Sequence, residues 1–179
     1  GYFRGWWDRV ISFVFIIFLS FPALVLAILI TALLERSLRT ISITLGILSV
    51  APVGRVARAT TISFAEREFV LAARTLGAKN GRIIVRELLP NVLIPMSALA
   101  LLGMAVAVVA EGGLAFLGLS VEKGPTWGKV ILTGAGSRDL QTAPWIAIIP
   151  IIVLFLTVLA LNFAGDRIRS YFDVKETAL

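Results

Sequence analysis

Neither cysteine nor histidine occurs anywhere in the 179 residues. Their absence excludes disulfides, thiol nucleophiles and Ser-His triads, and it leaves most zinc sites without ligands. It does not settle the compartment. Charge is scarce too, at 16% of residues, and three long stretches carry none: Val10–Leu34, Leu88–Ala110 and Leu140–Gly165. An ionisable residue inside a membrane span is the usual mark of a proton relay or ion path. These stretches hold none, so proton-coupled transport is disfavoured, while sodium sites built from carbonyls and hydroxyls stay open. A phosphate loop of the form G-x-x-x-x-G-K-[ST] is also missing. Its nearest counterpart, Gly124–Val130, is one residue short between its glycines and puts Val130 where the hydroxyl belongs. No two carboxylates are spaced for acid–base work. Any energy for uphill movement must therefore come from another subunit, and no cofactor is expected on this chain.

What is present is hydrocarbon. Apolar residues make up 58% of the chain and mean hydropathy is +0.94, against roughly 45–50% apolar in a soluble domain. The expected solvent is lipid. The charge-free stretches run 25, 23 and 26 residues, each long enough at about 1.5 Å per residue to cross about 30 Å of hydrocarbon. A fourth, Thr40–Gly54, has 15 and suffices if Arg55 and Arg58 snorkel to the headgroups. The prediction is an all-α, polytopic helical membrane protein with transmembrane helices at 10–34, 40–62, 91–110 and 144–165. Pro22, Pro52, Pro95 and Pro150 lie in or near them, tolerable where neighbours satisfy the freed backbone groups.

The net charge of +6 raises nucleic acid as a partner, but in such a chain excess Lys and Arg is first a topology signal. Twelve of the 17 basic residues fall in 1–9, 55–87 and 166–179. By the positive-inside rule these segments are cytoplasmic.

The segment EFVLAARTLGAKNGRIIVRELLPN, Glu68–Asn91, breaks the apolar pattern with Arg74, Lys79, Arg82 and Arg86. Ser63 and Glu66 have capping-box spacing, which predicts a helix start near Phe64. Ala65, Phe69, Ala72, Ala73 and Leu76 then share one face of a helical period. Gly77 is placed to end that helix in left-handed conformation. Asn80 is placed to cap a second short helix with Arg82 and Arg86 on its surface. Leu89 precedes Pro90, which predicts a turn before the chain re-enters the membrane. Ala72, Ala73, Gly77 and Ala78 form a small-residue face that admits close approach by another protein. Read instead as an interfacial helix, the segment is anchored to anionic lipid by its arginines. Periodicity alone leaves these two readings level.

LAARTLGAKNGRIIVRELLP resembles the E-A-A-x-x-x-G-x9-I-x-L-P loop of the membrane subunits of bacterial ABC importers. Ala72, Ala73, Gly77, Leu89 and Pro90 match it; Leu71 replaces the glutamate and Glu87 the isoleucine. EREFVLAARTLGA, RIIVRELLPNVLIP, EGGLAFLGLSV, PTWG, TAPW and LNFAGDRIRSYFD are similar, in order and spacing, to the dipeptide/oligopeptide/nickel permease family, in particular its C-type dipeptide branch. The resemblance implies the type I ABC importer permease fold, usually of six spans, two of them ahead of a GYF-G segment like the one opening this chain. The chain is thus expected to be the C-terminal part of a longer subunit. It further implies a coupling loop at 63–90, with Phe69, Ala72, Ala73, Arg74, Leu76, Gly77 and Ala78 at the ATPase-docking surface and Leu89 and Pro90 closing the motif. The implied partners are a sister permease, two ATPase domains that bind ATP and magnesium, and an extracytoplasmic binding protein, in a bacterial inner membrane. Nucleic acid is not among them. Nickel or another small ligand of the family is the alternative cargo; a secondary transporter or a membrane scaffold is the alternative class.

Glu111–Pro144 holds seven of the 15 glycines. Turns account for these, and an interfacial aromatic belt for Trp127 and Trp145. The resemblance adds that this side receives substrate.

Overall fold

The computed structural model describes residues 1–177, with side chains as far as Ser170. Regular structure among them is entirely helical. In chain order it comprises α1 (Trp6–Ser20), α2 (Ala23–Leu33), α3 (Leu38–Ala65), α4 (Glu68–Thr75), the single turn α5 (Asn80–Arg82), a π-helical turn Ile83–Leu88, α6 (Leu89–Phe116), α7 (Trp127–Gly134), α8 (Ser137–Thr142) and α9 (Trp145–Thr177). Three continuous stretches are long and apolar enough to cross a membrane: Leu38–Ala65, Asn80–Phe116 and Trp145–Ser170; α1 with α2 makes a fourth, broken one. Only 17%, 6% and 6% of their most apolar windows is buried within the chain. Apolar side chains facing outward on this scale require lipid or other helices as solvent. The protein is an all-α polytopic membrane protein.

Three expectations are corrected. The span expected at 10–34 is two helices. Pro22 has φ −59°, ψ 119°, outside the helical region, and Phe21 before it is disfavoured from that region by the proline ring. Ser20 donates its hydroxyl to the Ile16 carbonyl at 2.8 Å, one turn back in α1. Second, no helix starts at Phe64. α3 runs through Ser63 to Ala65, and α4 begins at Glu68 with no side-chain cap. Third, the chain does not turn at Leu89–Pro90. Leu89 is helical at φ −58°, ψ −47°, and its N–H reaches the Ile84 carbonyl five residues back. The wider π turn moves aside the carbonyls that a proline ring would otherwise strike. Helix therefore continues from Asn80 to Phe116 over 37 residues, about 55 Å at 1.5 Å per residue, well beyond the hydrocarbon thickness.

Several polar side chains inside the spans are satisfied locally. Thr31, Ser49, Thr61, Thr157 and Asn162 each donate to the carbonyl four residues back, at 2.7–2.9 Å. Such bonds saturate hydroxyls and amides in a medium that offers no water.

The chain divides into two compact units. One comprises Gly1–Ser20, Val50–Ala100 and the end of α9 from Gly165. Here α1 lies on α3 so closely that the Phe15 ring fills the place a side chain would take at Gly54. Asp8 of α1 accepts from Arg58 of α3 at both carboxylate oxygens, 2.9 and 2.6 Å. The other unit comprises Phe21–Ser49 and Leu101–Ala164. Ala27, Ile41, Leu114 and Val121 form its buried core. Lipid tails are as apolar as Leu, so small residues that admit close contact carry more of the packing specificity than apolar area does.

Candidate functional site

The basic segment folds as two short helices about a glycine. Arg67 is extended at φ −75°, ψ 155°, just ahead of α4, and its guanidinium sits 4.8 Å from the Phe64 ring centre. Glu68 in the first turn and Arg74 in the last complement the helix dipole. α4 ends in a Schellman motif: Ala78 N–H donates to the Ala73 carbonyl at 3.0 Å and Gly77 N–H to the Arg74 carbonyl at 2.9 Å. The motif needs left-handed backbone, and Gly77 supplies it at φ +78°. Asn80 does not cap the second helix: α5 starts at Asn80 with Lys79 as its N-cap and no side-chain cap, and with the π turn it leads straight into α6 without a loop.

Burial divides the expected site residues into two sets. Val70, Ile83 and Leu88 are fully enclosed and form the local core, against which Phe69, Ala73, Ala78, Tyr2, Phe64, Ala65 and Ile84 pack. Phe69, Ala73 and Ala78 therefore hold the two helices together; they are not free surface. Ala72, Arg74, Leu76 and Gly77 are exposed, and so are Leu89 and Pro90 at the start of α6. Leu76 is 87% exposed and Leu71 50%. Leu71, Ala72, Thr75 and Leu76 lie one helical turn apart in pairs, so they form an outward ridge, apolar except for one hydroxyl. Leu71 stands where the motif has glutamate, and its place in the ridge went unrecognised in the sequence. The alternation that would have shown it is Val70 inward against Leu71 outward, which a window of small residues obscures.

A second cluster closes the other end of α6. Leu119 N–H donates to the Leu114 carbonyl and Gly118 N–H to the Ala115 carbonyl, both at 2.9 Å, with Gly118 at φ +74°. Ser120 donates to Glu111 at 2.8 Å, and Thr126 accepts from the Lys129 N–H at 3.2 Å, capping α7. The Lys129 ammonium reaches the Glu122 carbonyl at 2.9 Å, and Arg36 donates to the Gly118 carbonyl at 2.6 Å. These bonds fix the glycine-rich segment as a folded cap, which turn propensity alone did not foretell. Among the described residues no group of His, Cys, Asp or Glu is arranged to hold a metal.

Residues 1–175 match the model of the binding-protein-dependent transport system inner membrane component. The chain belongs to this family. The dipeptide transport system permease protein DppC of Alkalihalophilus pseudofirmus is 41% identical over 177 residues, which is 98% of this chain and 57% of that protein. The glutathione transport system permease protein GsiD of Shigella dysenteriae serotype 1 is 31% identical over 175 residues, 97% of this chain and 57% of the relative. GsiD of Escherichia coli O157:H7 gives the same values. The chain thus spans a little over half the length of these permeases. Within the family region lie both the helix pair around Gly77 and the cap at Gly118.

Proposed function

We propose that this protein is the membrane-spanning permease subunit of an ABC importer for di- and oligopeptides in the bacterial inner membrane. The observation that carries the proposal is the outward ridge Leu71, Ala72, Thr75 and Leu76 on α4, which the turn at Gly77 links to the 37-residue span. Leu71, Ala72 and Leu76 together present an apolar surface to a partner, and the shared core of Val70, Ile83 and Leu88 ties α4 to the start of the span. In this reading an ATPase subunit receives the ridge in a groove, binds ATP and magnesium, and drives the spans by closing. A sister permease covers the outward apolar faces, and an extracytoplasmic binding protein delivers cargo at the Gly118 cap. The family membership and the names of the relatives support the transport class and a peptide cargo. Glutathione, itself a peptide, is the second cargo to test, because relatives at 31% identity are named for it.

Proteoliposomes holding the full-length subunit, its sister and the ATPases test this directly. Uptake of labelled dipeptide is expected to require ATP and binding protein, and to survive ionophores that collapse ion gradients. Uptake that runs on a sodium gradient without ATP overturns the proposal in favour of secondary transport. Competition by glutathione or nickel then ranks the cargoes.

Orientation has its own test. Lys79 and Lys123 are both exposed, and the chain has no cysteine to interfere. In intact cells an impermeant thiol reagent should label Lys123→Cys and spare Lys79→Cys, because most basic residues lie on the side of Lys79. The opposite pattern inverts the topology.

A further inference from the structure

Gly77 is the weak point of the helix pair. Its φ is +78°, and nothing lies within 4 Å of the place a side chain would occupy. A force applied to α4 would first change the angle at this glycine and be lost before reaching α6. Tyr2 bridges the joint. Its hydroxyl donates to Asn80 Oδ1 at 3.0 Å, on the α5 side. The Arg74 guanidinium lies 5.4 Å from the Tyr2 ring centre, on the α4 side, within cation–π range. The ring also packs on the Val70, Ile83 and Leu88 core beneath.

The stretch that carries Tyr2 is held at further points. Arg4 pairs with Glu66, just past the end of α3. Asp8, in the first turn of α1, takes the bidentate bond from Arg58. One short segment thus ties α1, the end of α3, α4 and α5 together, with one aromatic residue across the hinge.

We propose that Tyr2 is a positioning residue for energy coupling: it fixes the angle between α4 and α5 across Gly77, and passes motion of that pair to α1 as well as to α6. The inference rests on the docking role proposed above for α4. Tyr2 touches neither nucleotide nor cargo in this scheme. Its contribution is to the ratio of ATP hydrolysed to peptide moved.

The test uses the full-length complex in proteoliposomes and reads that ratio. Tyr2→Ala should keep its ATPase subunits bound, yet raise ATP hydrolysed per peptide about fivefold, the lower end of typical coupling between sites. Tyr2→Phe retains the ring for Arg74 and loses only one exposed hydrogen bond, so it should stay within about twofold. In the Tyr2→Cys/Asn80→Cys double variant the ratio should rise like that of Tyr2→Ala. A short reducible bis-thiosulfonate bridging the two thiols should restore it, and reduction should abolish the rescue. A wild-type ratio in Tyr2→Ala, absence of the bridged product, or a bridged complex that stays uncoupled each overturns the assignment. Failure of the docking role looks different: Ala72→Glu would then retain its ATPases at wild-type coupling, whatever Tyr2 variants do.

Discussion

Gly134→Ala is expected to destabilise the unit built around Ala27, Ile41, Leu114 and Val121 with a single methyl group. A Cβ at Gly134 would lie 2.6 Å from the Ala147 nitrogen and 2.7 Å from the Ile146 carbonyl carbon, both backbone atoms. Neither can rotate aside, so α7 and the start of α9 must separate. Overpacking of this kind costs about 1–3 kcal/mol and more when backbone has to move. Gly128→Ala meets the Ala115 Cβ at 2.5 Å and the Gly112 Cα at 2.8 Å, and should behave alike. Gly46 is the control, with nothing within 4 Å of its Cβ position in the middle of α3. There Gly→Ala should stabilise by about 0.5–1 kcal/mol through backbone entropy. Thermal melting of detergent-purified protein separates the three. Wild-type melting in Gly134→Ala would show that the cap does not depend on this contact.

Leu76→Glu and Ala72→Glu are expected to release the ATPase subunits from an otherwise intact permease. Both positions face outward, so neither change disturbs the core of Val70, Ile83 and Leu88. An unpaired carboxylate pressed into an apolar groove costs several kcal/mol, and about 1.4 kcal/mol is tenfold in affinity. The subunit should accumulate in the membrane at wild-type amounts and co-purify with little ATPase. Ala73→Glu should fail earlier. Ala73 packs against the local core, and a carboxylate there should reduce the amount of folded subunit before docking is at issue. Equal membrane levels for Ala73→Glu and Ala72→Glu would contradict the inward placement of Ala73. Full co-purification of ATPase with Leu76→Glu would remove the ridge from the docking surface and leave the lipid-anchored reading.

The contrast between Ala72 and Ala73 marks where reading along the chain stops. Composition and run length were enough for the class: a chain that is 58% apolar, with uncharged stretches of 23–26 residues, can only be solvated by lipid. Gly77 was legible as a helix end because left-handed backbone all but demands glycine, and φ +78° meets that demand. The positions of the breaks were not legible. Two prolines with the same local propensity had opposite outcomes: α1 ends ahead of Pro22, whereas helix runs through Pro90 because the π turn before it makes room. Neighbours decide between those outcomes, since propensity is small against packing. Periodicity likewise gathered Phe69, Ala72, Ala73 and Leu76 on one face, yet Phe69 and Ala73 pack inward while Ala72 and Leu76 face out. A helix of eight residues has barely two turns in which to define a face, and alanine fits either side of it. The contacts of Tyr2 with Arg74 and Asn80, 72 and 78 positions away in the chain, left no mark in local pattern. Local chemistry determined which segments are helical, apolar or bent at glycine; only the folded chain decided which of those surfaces remained free to meet a partner, because exposure depends on residues that sequence distance does not bring together.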